Sequence, residues 1–91
     1  MPNSKDEAVE QARKDLAKRL KIDAGGVKEK SVEEADFPDM ALGAPEDGEM
    51  SGQMMTRGWR IMLDADGKSY EYRADKNQVR AYKFKGKNYR I

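Results

Sequence analysis

Ninety-one residues, 37% hydrophobic and 38% charged with a net charge of +1, make one small domain, residues 1–91, near the lower limit for a self-sufficient core. Cysteine and histidine are both absent, which excludes disulfides, thiol chemistry, imidazole acid–base work and any Cys/His zinc site. No apolar run approaches the roughly 20 residues of a membrane-crossing helix, and Met1-Pro2-Asn3-Ser4 leads straight into charged residues without a leader pattern.

Charge is segregated along the chain: residues 1–28 balance to +2, residues 29–49 to −7, and residues 50–91 to +6. Complementary halves of one domain explain this, as do two patches of opposite sign that orient a partner. Ser4-Lys5-Asp6-Glu7 matches a capping box, and Val9, Ala12, Leu16 and Leu20 then recur at spacings of three and four. The spacing predicts an amphipathic helix over about 5–21, stopped by Gly25-Gly26. Residues 27–37 read as a first strand, in which Val27 and Phe37 share one parity and Val32 the other, so a bulge is expected. Phe37-Pro38 ends it. Residues 39–52 hold Gly43, Pro45, Gly48 and Gly52 without a usable period, a loop long enough to be functional.

Residues 53–57 predict a short strand before a turn at Gly58. Trp59, Ile61, Leu63 and Ala65 then alternate with polar neighbours, Asp66-Gly67 supplies a positive-φ turn, and Tyr70, Tyr72 and Ala74 alternate on the way back. This is a β-hairpin. Lys76-Asn77 marks a further turn before a strand over 79–84, and the turn at 85–88 lets residues 89–91 pair back. The fold expected is α+β, one N-terminal amphipathic helix packed on an antiparallel sheet of four to five strands. Its core would contain Val9, Ala12, Leu16, Leu20, Val32, Phe37, Trp59, Ile61, Leu63, Tyr70 and Tyr72.

Phe37-Pro38-Asp39, Leu42-Gly43-Ala44-Pro45, Gln53, Gly58-Trp59-Arg60-Ile61 and Gly67 with Tyr70-Glu71-Tyr72 stand in a characteristic order. That order resembles small exported bacterial domains of uncharacterised function with the pattern W-P-D-x-x-L-G-C-P, then Q, G-Y-R-I and G-x-x-Y-x-Y. The cysteine of the pattern is Ala44 here, so a disulfide in such relatives has no counterpart. The helix followed by a strand-rich segment is also loosely similar to PepSY domains, which implies an inhibitory or interaction role. Neither resemblance implies a catalytic residue.

Asp64-Ala65-Asp66-Gly67 begins like a calcium loop, but Gly67 falls at position 4 instead of 6, so a hairpin turn is expected and no metal site or cofactor. The acids of 33–49 would need a rigid cleft to act as a catalytic pair, and Ser31, Ser51 and Thr56 have no histidine to activate them. The chain is therefore expected not to be an enzyme. The aromatics and cations of the C-terminal third suggest a single-strand nucleic-acid surface as the alternative function. Tyr82, Phe84 and Tyr89 would be its freest rings, although sheet aromatics of so small a domain belong first to its core. Met40, Met50, Met54, Met55 and Met62 would fill gaps between loop and sheet, or form an adaptable contact surface. The favoured reading is a monomeric, non-catalytic interaction domain. It would contact a protein or cell-envelope component through Phe37, Asp39, Met40, Leu42, Glu46 and Asp47 of the 37–53 loop. The expected setting is extracytoplasmic for an excised mature domain, or cytoplasmic if the chain is complete.

Overall fold

The computed structural model describes residues 4–91; Met1, Pro2 and Asn3, which opened the leader reading, lie outside the described residues. Ser4 and Glu7 close a reciprocal capping box, the Ser4 Oγ accepting the Glu7 N–H at 3.2 Å and the Glu7 carboxylate accepting the Ser4 N–H at 2.9 Å. Helix α1, Lys5–Leu20, follows and buries Ala8, Val9, Ala12, Leu16 and Ala17. Its end corrects one expectation. Lys21, not a glycine, takes the left-handed conformation at φ 58°, and the Ile22 N–H returns to the Ala17 carbonyl at 3.0 Å. This closure turns Ile22 onto the core, and the hydrophobic contact pairs with the backbone bond to stop the helix. Gly25 and Gly26 instead form a 3-10 turn, Ala24–Gly26, clamped to the helix by Arg13, which donates to the carbonyls of Val27 and Ala24.

Five strands then form one antiparallel sheet in chain order: β1, Lys28–Phe37; β2, Thr56–Ala65; β3, Lys68–Ala74; β4, Val79–Phe84; and β5, Lys87–Arg90. The expected bulge is present in β1, between Glu29 and Ser31. The β2–β3 hairpin pairs Trp59 with Ala74 through to Ala65 with Lys68, and Asp66 and Gly67 turn it at φ 51° and 76°. Gly58 is a second correction. It does not form a turn, because β2 runs through it from Thr56, and residues 53–55 form no strand. A Cβ at Gly58 would lie 2.1 Å from the Ala74 carbonyl oxygen, so glycine is needed there for a close backbone approach.

Register decides the two faces. Ile61, Tyr72, Ala81 and Tyr89 form one row across β2–β5, and with Leu63, Ala74 and Val79 they pack beneath α1. Leu20, Val32, Trp59 and Tyr70 lie half-buried at the margin of this core. The helix is tied down by a polar contact: the buried Tyr72 hydroxyl donates to Asp15 Oδ2 at 2.7 Å, and Arg19 Nε donates to the same oxygen at 2.6 Å. Arg19 also lies 4.2 Å from the centre of the Tyr89 ring. Burial, and then the bond to Asp15, push the Tyr72 hydroxyl far above the usual tyrosine range. Phe37 is buried as expected, but outside this core, on the sheet's other face.

Replacing Tyr72 by Phe removes one donor to a carboxylate and should lower the unfolding free energy by about 1–2 kcal/mol in urea titrations. Gly58→Ala should cost about 1–3 kcal/mol through the clash with the β3 backbone. A Gly58→Ala protein of undiminished stability would show that the close approach is not required.

Candidate functional site

On the sheet face away from α1, the register sets Arg60, Arg73, Arg80 and Arg90 side by side on four neighbouring strands. Like charges directly opposite one another destabilise a sheet unless they are neutralised. The neutralisation is shared between Glu71 of β3 and the loop between β1 and β2. Arg80 is 2% exposed and grips Glu49 with both terminal nitrogens, at 2.6 and 2.7 Å. The same guanidinium donates to the Ala44 carbonyl and to Gln78 Oε1. Arg73 donates to Glu71 at 2.7 Å and to the Leu42 carbonyl at 3.0 Å, with its guanidinium 3.7 Å from the Tyr82 ring centre. Arg60 reaches Glu71 at 3.3 Å. No buried side-chain nitrogen or oxygen among the described residues lacks a partner.

The loop is therefore strapped onto the sheet. Asp39 Oδ1 accepts the N–H groups of Ala41 and Gly43, each at 2.9 Å, and the Met40 N–H bonds the Gly52 carbonyl to draw the two limbs of the loop together. Gln78, just before β4, and Asn88, in β5, hold the Met40 and Pro45 carbonyls. Leu42 and Gly43 both have positive φ, and a Cβ on Gly43 would strike the Arg73 guanidinium. Phe37, Ala41, Leu42 and Ala44 fill the space between loop and sheet.

This architecture sorts the expected contact residues. Phe37 and Leu42 face inward and are buried, and Asp39 serves the turn. Met40 is half exposed, while Glu46 and Asp47 lie exposed on the turn that ends at Glu49. Of the six, Met40 alone lines the larger surface depression, a groove of about 760 Å3 open to solvent. Its walls are the second half of the loop, from Glu49 to Met55, the start of β2, the 75–78 turn and Arg90. Met50, Met54 and Met55 stand on that wall and are 96%, 66% and 70% exposed. Of the five methionines considered, only Met62 is not exposed. Smaller apolar groups and arginine stems already occupy the gap.

The groove's two carboxylates are committed internally. Glu49 holds Arg80, and this pairing, with a backbone bond from Glu46, lowers the Glu49 carboxyl to about 2. Asp75 is buried, and its Oδ1 accepts the N–H groups of Asn77 and Gln78. The rings considered for nucleic-acid stacking are occupied too: Arg73 covers Tyr82, and Arg19 lies over Phe84 and Tyr89. Asp64, first in the calcium-like tetrad, accepts the Ser69 hydroxyl, and among the described residues no three carboxylates converge for a metal ion. Arginine parity was the signal that would have revealed the row, since Arg60, Arg73 and Arg80 share the polar phase of their strands.

The family model for DUF8738, a domain of unknown function, matches residues 9–82, and the chain belongs to that family. The match runs from inside α1 to inside β4, so it takes in the whole loop and Arg60, Arg73 and Arg80. No curated protein matches the chain, and no solved structure does.

The Arg80–Glu49 clasp has a defined acid dependence. The Glu49 carboxyl titrates near 4.5 in an unfolded chain and near 2 when clasped, so its contribution is full above about pH 4.5 and is lost as the pH falls toward 2. The stability difference between wild type and Glu49→Gln should shrink over that window, and the Glu49 carboxyl signal should titrate near 2 in NMR. A difference that is constant with pH would sink the clasp. Arg80→Met should lower stability by roughly 2 kcal/mol through its lost charged hydrogen bonds.

Proposed function

We propose that this DUF8738 domain is a non-catalytic binding module that takes a segment of a partner protein, or of a cell-envelope component, in the methionine-lined groove. One observation carries the reading. Four of the five exposed large apolar side chains among the described residues, Met40, Met50, Met54 and Met55, stand along this one groove. Clustered apolar exposure of this kind is a mark of interaction surfaces. Methionine suits such a surface because its unbranched, polarisable side chain repacks against partners of different shape.

The backbone supports this division of labour. Residues 42–49 are fixed by the arginines of the sheet, whereas residues 49–55 carry no regular structure and form the lip of the groove. A rigid floor with an irregular, apolar lip is a common arrangement for recognition. The contact surface therefore moves from the acidic tip expected at Glu46 and Asp47 to the following limb of the loop, and Met40 belongs to both. A catalytic role has little support in a groove whose two carboxylates are already engaged by Arg80 and by the 75–78 turn. The extracytoplasmic setting and the bacterial source rest on the sequence pattern shared with exported domains.

Selection from a random-peptide display library tests the proposal. The wild-type domain should enrich peptides with large apolar residues, and a Met50→Ser/Met54→Ser/Met55→Ser variant should enrich them about tenfold less. Each substituted side chain is exposed, so the fold should survive. Equal enrichment on both proteins would refute the groove.

A further inference from the structure

We infer that the groove's partner is an acidic peptide segment that carries an apolar anchor; the inference rests on the binding-module reading and specifies its ligand. The charges that line the groove are unequal in availability. Glu49 and Asp75 are held by Arg80 and by the 75–78 turn, so neither offers a free carboxylate to a partner. Lys76 and Arg90 are exposed at the groove and form no ion pair with a described residue. Arg57, on the same wall, shares its charge with Glu34 and Asp36.

The open groove therefore presents a methionine lip beside two cations that no carboxylate of the described residues contacts directly. Arg90 is the end of the arginine row, paired in register with Arg80, and both oxygens of the loop acid Glu49 are bonded to Arg80, so Arg90 feels that carboxylate only at a distance. A carboxylate from outside would complete the row as Glu49 completes Arg80. The exposed acids of the loop, Glu46 and Asp47, do not line the groove and leave this position open. Lysine on the 75–78 turn adds a second point of attraction, and the two together steer an acidic segment toward the methionines. A basic segment would meet repulsion there, and an uncharged apolar one would gain only the thioether contacts.

The test uses methyl-labelled methionine in the full chain and a synthetic peptide of about a dozen residues, chosen to match a groove of this size, with leucines set among aspartates and glutamates. Comparison peptides replace either the leucines by serine or the acids by lysine. The acidic leucine peptide should shift the Met50, Met54 and Met55 methyl signals. Its affinity should fall about tenfold or more in Lys76→Glu/Arg90→Glu and weaken as salt is raised through about 0.15 M. Both substituted side chains are exposed and form no ion pair with a described residue, so the variant should keep its fold, checked by an unchanged thermal unfolding midpoint. If the lysine peptide binds as tightly as the acidic one, the charge inference is wrong while the apolar groove stands. If the serine peptide binds equally well, the ligand is a simple polyanion, and the inference fails. If no peptide moves the methionine signals, the inference and the groove reading fail together.

Discussion

Four arginines set in register across neighbouring strands are the constraint around which this domain is built. Uncompensated, the row would repel itself across every strand pair it joins. It is compensated by Glu71 within the sheet, by Glu49 from the loop, by the carbonyls of Leu42 and Ala44, and by the ring faces of Phe37 and Tyr82. A guanidinium has five donors in a planar fork, so one side chain can hold a carboxylate and a carbonyl at once. That is how Arg80 fixes the otherwise irregular stretch that joins β1 to β2. Burying such a charge is costly, and the dense hydrogen bonding around it offsets that cost.

The opposite face uses the same chemistry more sparingly. There a hydrocarbon core carries most of the packing, and Asp15 links α1 to the sheet by accepting from Tyr72, while Arg19 of the same helix holds the carboxylate in place. One sheet thus separates an apolar layer under a helix from a thinner, arginine-threaded layer under a loop. Small domains have little surface to bury, and the second layer lets this one bury Phe37 and Leu42 in addition. The strapping also divides the loop. The limb up to Glu49 becomes part of the scaffold, and the limb after it is left to face solvent with its methionines.

Elements governed by local pattern were legible in the sequence. The helix start follows from a capping box, and the central hairpin from period-two alternation around Asp66-Gly67. The broken parity of Val27, Val32 and Phe37 marked the β1 bulge. Features that depend on distant chain segments were not legible. Gly58 reads as a turn from its type alone, and its actual role is set by the β3 backbone beside it. Lys21 has no sequence mark of a left-handed residue, and its conformation follows from the docking of Ile22. The arginine row and the burial of Leu42 were not legible for a related reason: local pattern treats an arginine as surface and a loop leucine as free. It takes the register to bring the arginines together, and only then is it evident why the loop lies down and turns Leu42 and Phe37 inward.

The bulge in β1 has a bearing on what the sheet's longer free edge is able to do. An open sheet exposes unpaired N–H and C=O groups along its outermost strands, and a flat edge is a template for further strands. The displaced residue between Glu29 and Ser31 interrupts that template, and the charged side chains on either side, Lys28, Glu29, Glu33 and Glu34, add repulsion and solvation to the interruption. The other edge, β5, is only four residues long. Neither edge is suited to pair with further strands, so lateral growth of the sheet is discouraged at both ends.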